Sequence, residues 1–216
     1  MTTFHLVSIF PEMFDSYLNE SIIKRAQLSK KIAIKVYNLR DFTDDKRKTV
    51  DARPYGGGPG MVFKPEPLIK CLTKILTKKT KVKVIFFAPG GKLLTNKLAK
   101  DLTKYQHIVL VAGRYEGIDD RVRQIFKATE ISIGHYVLTG GELPAMVLID
   151  CVARQIKGVL GKDESLEDKR AGGSKLYTRP EILVHKGKKY KVPPVLLSGD
   201  HQKIEAWRHK ASNLEL

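Results

Sequence analysis

Val82-Lys-Val-Ile-Phe-Phe-Ala88 and Ile108-Val-Leu-Val-Ala112 are two continuous apolar runs with one helical pattern between them. Unbroken apolar strands are buried on both faces, the condition of a parallel sheet covered by helices. The intervening helix carries Leu98 and Leu102, and Thr95 stands where an N-cap hydroxyl belongs. Strand, helix and parallel strand form the unit from which the rest of the fold follows.

The same alternation continues outward. Residues 4–10 are a β-rich run, and residues 32–36 alternate apolar and polar with period two. Residues 67–79 place Leu68, Leu72, Ile75 and Leu76 on one helical face and end in lysines, as the helix dipole favours. Residues 119–127 read as a short helix and 130–133 as a strand. The pattern predicts an α/β domain over residues 1–161, with a mostly parallel sheet and right-handed crossovers. Pro144 suits the first turn of a helix carrying Ala145, Val147, Leu148, Ile149, Val152 and Ala153. Being apolar nearly all round, that helix is expected to be buried on more than one side, against another subunit if need be.

Composition then shifts. Residues 162–176 are hydrophilic, contain Gly172 and Gly173, and read as a flexible linker. Residues 177–216 include a bend at Pro193-Pro194 and a helix after Asp200 with Ile204 and Trp207 on one face. So short a segment does not bury an independent core, so a small, mainly helical C-terminal unit that docks elsewhere is expected.

The chain has 216 residues, 42% hydrophobic and 29% charged, enough for a real core. Its 39 basic residues against 23 acidic ones leave a formal net charge of +16. That excess favours a polyanionic partner, and nucleic acid is the commonest. Cys71 and Cys151 lie in apolar helical patterns without metal-ligand spacing, so reduced core thiols and no metal site are expected. No signal-peptide pattern opens the chain and no apolar run has membrane-spanning length, which predicts a cytoplasmic protein without a membrane partner.

Three constellations carry chemistry. Residues 132–150, SIGHYVLTGGELPAMVLID, pass from a strand through a loop with three glycines into the apolar helix. With so few ionisable groups, that loop suits a neutral, ring-bearing cofactor held by backbone groups rather than a phosphate. Arg53-Pro-Tyr-Gly-Gly-Gly-Pro-Gly-Met61 lacks the lysine and hydroxyl of a phosphate loop and the strand of a dinucleotide fingerprint. It reads as a flexible loop, or as a surface where a base lies on Gly57 and Gly58, flanked by Tyr55 for stacking and Arg53 for phosphate. Gly113-Arg-Tyr-Glu-Gly-Ile-Asp-Asp-Arg121 follows a strand directly, where ligands gather in open α/β sheets, and offers Arg114, Tyr115 and Glu116. Arg154 follows on the apolar helix, as an ion-pair partner or as a fork for a guanine edge.

These stretches, with Ser8-Ile-Phe-Pro-Glu-Met-Phe14, Arg40-Asp-Phe42, Gly158-Val-Leu-Gly161, Tyr177-Thr-Arg-Pro180 and Val192-Pro-Pro-Val-Leu-Leu-Ser-Gly199, closely resemble the bacterial tRNA (guanine-N1)-methyltransferase family, in the family's order. The resemblance implies a SPOUT-class domain with a deep trefoil knot and a homodimer whose active site lies at the subunit interface. It implies S-adenosylmethionine as methyl donor, magnesium in catalysis, and tRNA as substrate, methylated on the guanosine immediately 3′ of the anticodon. Cofactor contacts then fall on Pro89, Gly113, Ile133, Gly134, His135, Tyr136, Val137, Leu138, Gly140, Gly141 and Pro144. Arg53, Tyr55, Gly57, Gly58, Arg114 and Tyr115 fall on the substrate side, and Arg154 and Glu116 in the catalytic centre.

This sequence departs from the family at three points. The family's base is an aspartate followed by Ser-Phe, whereas this chain reads Leu166-Glu-Asp-Lys-Arg170. Asp168 takes the role, with Glu167 as fallback. His135 replaces the usual aspartate beside the cationic donor, and the C-terminal unit is shortened. A methyltransferase for another RNA and a catalytically impaired RNA-binding homologue stay open on sequence.

Overall fold

The computed structural model describes residues 1–160 and 175–211. They belong to two units, Met1–Leu160 and Gly161–Leu216. The first runs β1 (Thr2–Ser8), α1 (Asp15–Leu18), α2 (Ser21–Leu28), β2 (Ile32–Asn38), β3 (Asp51–Ala52), β4 (Val62–Phe63), α3 (Pro65–Leu76), β5 (Val82–Leu93), α4 (Asn96–Leu102), β6 (His107–Val111), α5 (Asp120–Ile125), β7 (Thr129–Ser132) and α6 (Glu142–Ala153). Five strands form one sheet in the order β2-β1-β6-β5-β7, parallel at every pairing.

The two apolar runs are neighbours in that sheet, with Ile85 opposite Leu110. Their side chains alternate between faces, which is why both runs are apolar throughout. Phe4, Leu6, Ile85, Ile108 and Leu110 pack with Ile23 of α2, Ala99 of α4 and Leu148 of α6. Val7, Val84, Phe86, Val109 and Val111 pack with Leu68, Leu72 and Ile75 of α3 and Val122 of α5. Helices thus cover both faces. The Thr95 hydroxyl caps α4 by accepting from the Leu98 N–H at 3.2 Å. Cys71 is buried and Cys151 half-buried, both as free thiols, and burial pushes Cys71 up to about 12.

One strand runs further than its apolar stretch. β5 continues to Leu93 because its register against β7 shifts, with Phe87 and Lys92 both opposite Ile131. The residues between, Ala88-Pro-Gly-Gly91, bulge out of the ladder. A Cβ on Gly91 would lie 2.7 Å from the Glu130 carbonyl carbon, so the return past β7 needs glycine.

α6 packs on β1, α2, α4 and the 3-10 turn Pro11–Phe14. Within this chain its burial is incomplete, since Leu143 and Val147 stay exposed, as do Met13 of the turn and Tyr17 of α1. The Tyr17 hydroxyl donates to the Asp150 carboxylate, which raises Tyr17 to about 12. Among the described residues no helix is long and apolar enough to cross a membrane.

In the second unit, β8 (Ile182–His185) and β9 (Lys188–Lys191) form an antiparallel hairpin, followed by α7 (Pro194–Leu197) and α8 (His201–Ala211). Lys186 and Gly187 both have positive φ, 47° and 73°, the mark of a two-residue type I′ turn. The hairpin is an addition to the expected helices. Tyr177 and Trp207 meet with ring centroids 6.3 Å apart. Most of the 162–176 linker, including Asp168 and Glu167, lies outside the described residues.

Candidate functional site

β5, β6 and β7 end along one edge of the sheet, and a crevice of about 430 Å³ opens there. The β5 bulge supplies Pro89 to its wall, and the loop after β6 supplies Gly113 to Ile118. The segment between β7 and α6 supplies the rest, from Ser132 to Gly141, with Pro144 behind it. This is where open α/β sheets bind ligands, and the volume is that of a small-molecule site.

Glycine makes the close contacts possible. The Gly141 N–H donates to the Gly113 carbonyl at 2.9 Å. A Cβ at Gly141 would lie 2.7 Å from the Ala112 Cα and 3.0 Å from the Gly113 nitrogen, both backbone atoms. Arg114 and Gly140 form an isolated antiparallel bridge. The segment 134–141 is thereby held across the carboxyl end of β6. The Ser132 hydroxyl donates to the Gly134 carbonyl at 2.9 Å, and the Tyr136 hydroxyl to the Ile133 carbonyl at 3.1 Å.

Of the eleven expected cofactor contacts, ten line this crevice and His135 does not. His135 is exposed and is not among the residues lining the crevice. The departure from the expected aspartate at 135 therefore falls outside the crevice lining.

The glycine-rich loop 53–61 docks on the loop after β6. The Glu116 N–H donates to the Met61 carbonyl at 3.0 Å, and Phe63 exchanges bonds with Gly117 and Asp119 at 3.0 and 3.2 Å. Glu116 lies over Gly60, where a Cβ would come 2.6 Å from its Cγ. Glu116 and Tyr115 line the crevice, and Tyr115, at φ 59°, packs edge-on against Phe63. Arg53, Tyr55, Gly57 and Gly58 are exposed outside it. Tyr55 is 99% exposed, and no atom lies within 4 Å of a Cβ built on Gly57 or Gly58. Arg53 and residues 55–58 of that loop are thus an open surface of this chain, while Gly60 and Met61 dock on Glu116.

Arg114, expected to meet substrate, turns one edge inward. Its Nε donates to Glu142 at 3.1 Å, and its guanidinium stacks 4.8 Å from the Phe10 ring. Glu142 is 1% exposed and also accepts from the Ser8 hydroxyl at 2.8 Å. Sequence reasoning missed this acid, because its partners are 28 and 134 residues away.

Arg154 is half-buried at the C-cap of α6 rather than within the helix. It does not line the crevice. At 1.5 Å per residue, the helix sets it roughly 20 Å along the axis from Gly141.

A parallel sheet with a glycine-rich crevice at its carboxyl edge defines an α/β protein with room for a small ligand beside the exposed Arg53 and residues 55–58. Comparison with known proteins narrows that class. The family described as tRNA (Guanine-1)-methyltransferase TrmD matches residues 2–215. The tRNA (guanine-N(1)-)-methyltransferase of Dictyoglomus turgidum is 49% identical over 214 residues, covering 97% of this chain and 84% of the relative. That of Clostridioides difficile is 44% identical over 215 residues, covering 97% and 91%. The chain belongs to the tRNA (guanine-1)-methyltransferase family and is a methyltransferase.

Proposed function

We propose that this protein transfers a methyl group from S-adenosylmethionine to N1 of the guanosine immediately 3′ of the anticodon of tRNA. The observation that carries the reading is the crevice of a methyltransferase-family chain, lined by glycines and apolar side chains with Glu116, Asp120, Glu130, Arg114 and Arg123 at its polar positions, and without the lysine and hydroxyl of a phosphate cradle. Its residues fit the donor: Gly113, Gly140 and Gly141 let the crevice wall pack closely against the end of β6, and Ile133, Val137 and Leu138 give apolar cover. When bound, the donor supplies an electrophilic methyl group on a cationic sulfur. The polyanionic partner follows from the net charge of +16 and from the exposed Arg53, Tyr55, Gly57 and Gly58 beside the crevice. Tyr115 and the outward edge of Arg114 complete that side.

Guanine N1 is protonated at neutral pH and is a poor nucleophile until a base removes the proton. Asp168 takes it in this reading, with Glu167 as its fallback, and a positioned base contributes on the order of 10²–10⁴-fold. The Arg154 guanidinium binds O6 and stabilises the negative charge that develops there. Glu116 belongs to the same centre and carries its magnesium dependence.

The reading includes a homodimer with each active site at the subunit interface. Two observations support it. Arg154 stands roughly 20 Å along α6 from Gly141 of its own crevice, and the helix leaves Leu143 and Val147 exposed. The SPOUT knot belongs to the reading as well, with residues 132–150 as the knot loop around the donor. Residues 1–161 form the catalytic domain, 162–176 the linker, and 177–216 a shortened tRNA-binding domain, in the cytoplasm.

The test is tritiated-methyl transfer to tRNA transcripts bearing guanine or adenine 3′ of the anticodon. Incorporation with guanine alone is expected. Equal incorporation with adenine, or none despite donor binding, overturns the reading.

A further inference from the structure

We propose that Glu142 is a positioning residue for the methyl donor. Through Arg114 and Ser8, it holds the glycine segment of the crevice at binding distance from the β6 loop. This rests on the donor occupying the crevice.

Glu142 is the first residue of α6, and an acid there usually serves the helix dipole in water. This one does something else. Its side chain is buried, and its two oxygens are used by groups from two other segments. Oε1 accepts from the Ser8 hydroxyl at the end of β1, and Oε2 accepts from the Arg114 Nε after β6. Ser8 is itself fixed, since its oxygen accepts from the Phe10 N–H at 2.9 Å. Arg114 is pinned further by the Phe10 ring and the Met13 sulfur.

The crevice loop is wrapped onto this pair. A Cβ on Gly140 would lie 2.5 Å from both the Arg114 Nε and the Glu142 Oε2. Gly140 is bridged to Arg114, and Gly141 to Gly113. Glu142 follows both glycines directly, so moving its carboxylate moves the wall against which the donor lies. The arrangement places a buried ion pair behind the ligand surface, where truncating one partner leaves the other charge unpaired.

The test is donor binding by calorimetry with Glu142→Gln, beside thermal unfolding and steady-state kinetics. Gln keeps the volume and the Ser8 contact but removes the charge facing Arg114. We expect the dissociation constant for S-adenosylmethionine to rise roughly tenfold, on the scale of one lost hydrogen bond to a charged group. The KM for the donor should rise in parallel, and the KM for tRNA by a smaller factor, since the outward edge of Arg114 borders the substrate side. Combining Glu142→Gln with Arg114→Gln should weaken binding by less than the product of the two single effects, because no charge is then left unpaired. Should Glu142→Gln not fold, Ser8→Ala removes one contact to the same carboxylate and is expected to raise the dissociation constant about threefold. Donor affinity within twofold of wild type in the folded variants, or strictly multiplicative effects, overturns the inference. Absence of donor binding by the wild type would instead sink the functional reading on which it rests.

Discussion

His5 and His107 share a hydrogen bond, Nε2 to Nδ1 at 3.2 Å, and the Tyr37 hydroxyl lies 3.1 Å from the other His5 nitrogen. Burial, then the charges of His107, Lys79 and Lys35, lowers His5 from 6.5 to about 4. His107 is lowered by burial in the same direction. The folded protein therefore holds both rings neutral where an unfolded chain would protonate them.

Stability from this pair is complete above about pH 6.5 and falls as the pH drops toward 4, since only the unfolded chain takes up protons in that window. For His5 the loss is about 3 kcal/mol by pH 4, at roughly 1.4 kcal/mol per unit. Urea unfolding at pH 7.5, 6 and 5 should show it, and His5→Gln should flatten the slope by nearly one proton. An equally steep slope in His5→Gln refutes the assignment.

On the proposed function, two glycines should separate donor binding from tRNA binding. Gly141→Ala drives a methyl group against the Ala112 and Gly113 backbone, so donor binding should be lost beyond detection by calorimetry. Gly58→Ala meets open space and costs only the left-handed backbone, about 1–2 kcal/mol locally at φ 109°. It should leave donor affinity intact and raise the KM for tRNA. Equal effects of the two variants on donor affinity would contradict the division of the site.

Gly60 lies under Glu116, so Gly60→Ala should displace the carboxyl group without touching the glycine wall at 140–141. A misplacement of about 1 Å costs on the order of 10²-fold in rate. A fall in kcat of that order is expected, with donor affinity unchanged, and Gly60→Ala added to Glu116→Gln should do no further harm. Single-turnover rates across magnesium concentrations check both points.

Most of the fold was legible because burial leaves a clear trace in the chain. The runs at 82–88 and 108–112 are apolar on both faces, and the structure pairs them directly. β5 beyond Ala88 left no such trace, since a bulge interrupts its one ladder there. The hairpin after Ile182 was hidden by its lysines, all eight strand residues being exposed. Lys186-Gly187 between two alternating runs was the available signal. The crevice could be read from its glycines and apolar residues. The support behind it could not, since Ser8, Arg114 and Glu142 meet only through the fold.

Arg154 supplies the sharpest test of the assembly. If it acts in the crevice of the partner subunit, an Arg154→Ala chain with a sound crevice and a Gly141→Ala chain with a sound arginine should complement each other. In the mixed dimer, the crevice of the first faces the arginine of the second, and one complete site forms. Random pairing makes half of the dimers mixed, each with one of two sites intact, so about a quarter of wild-type activity should return. Each homodimer alone should be inactive, and activity should track the mixed species when differently tagged chains are separated. If the arginine served its own crevice, every site in the mixed dimer would lack one component and no activity would return. The length of α6 argues for the first outcome, because roughly 20 Å of helix stands between Gly141 and Arg154 in one chain.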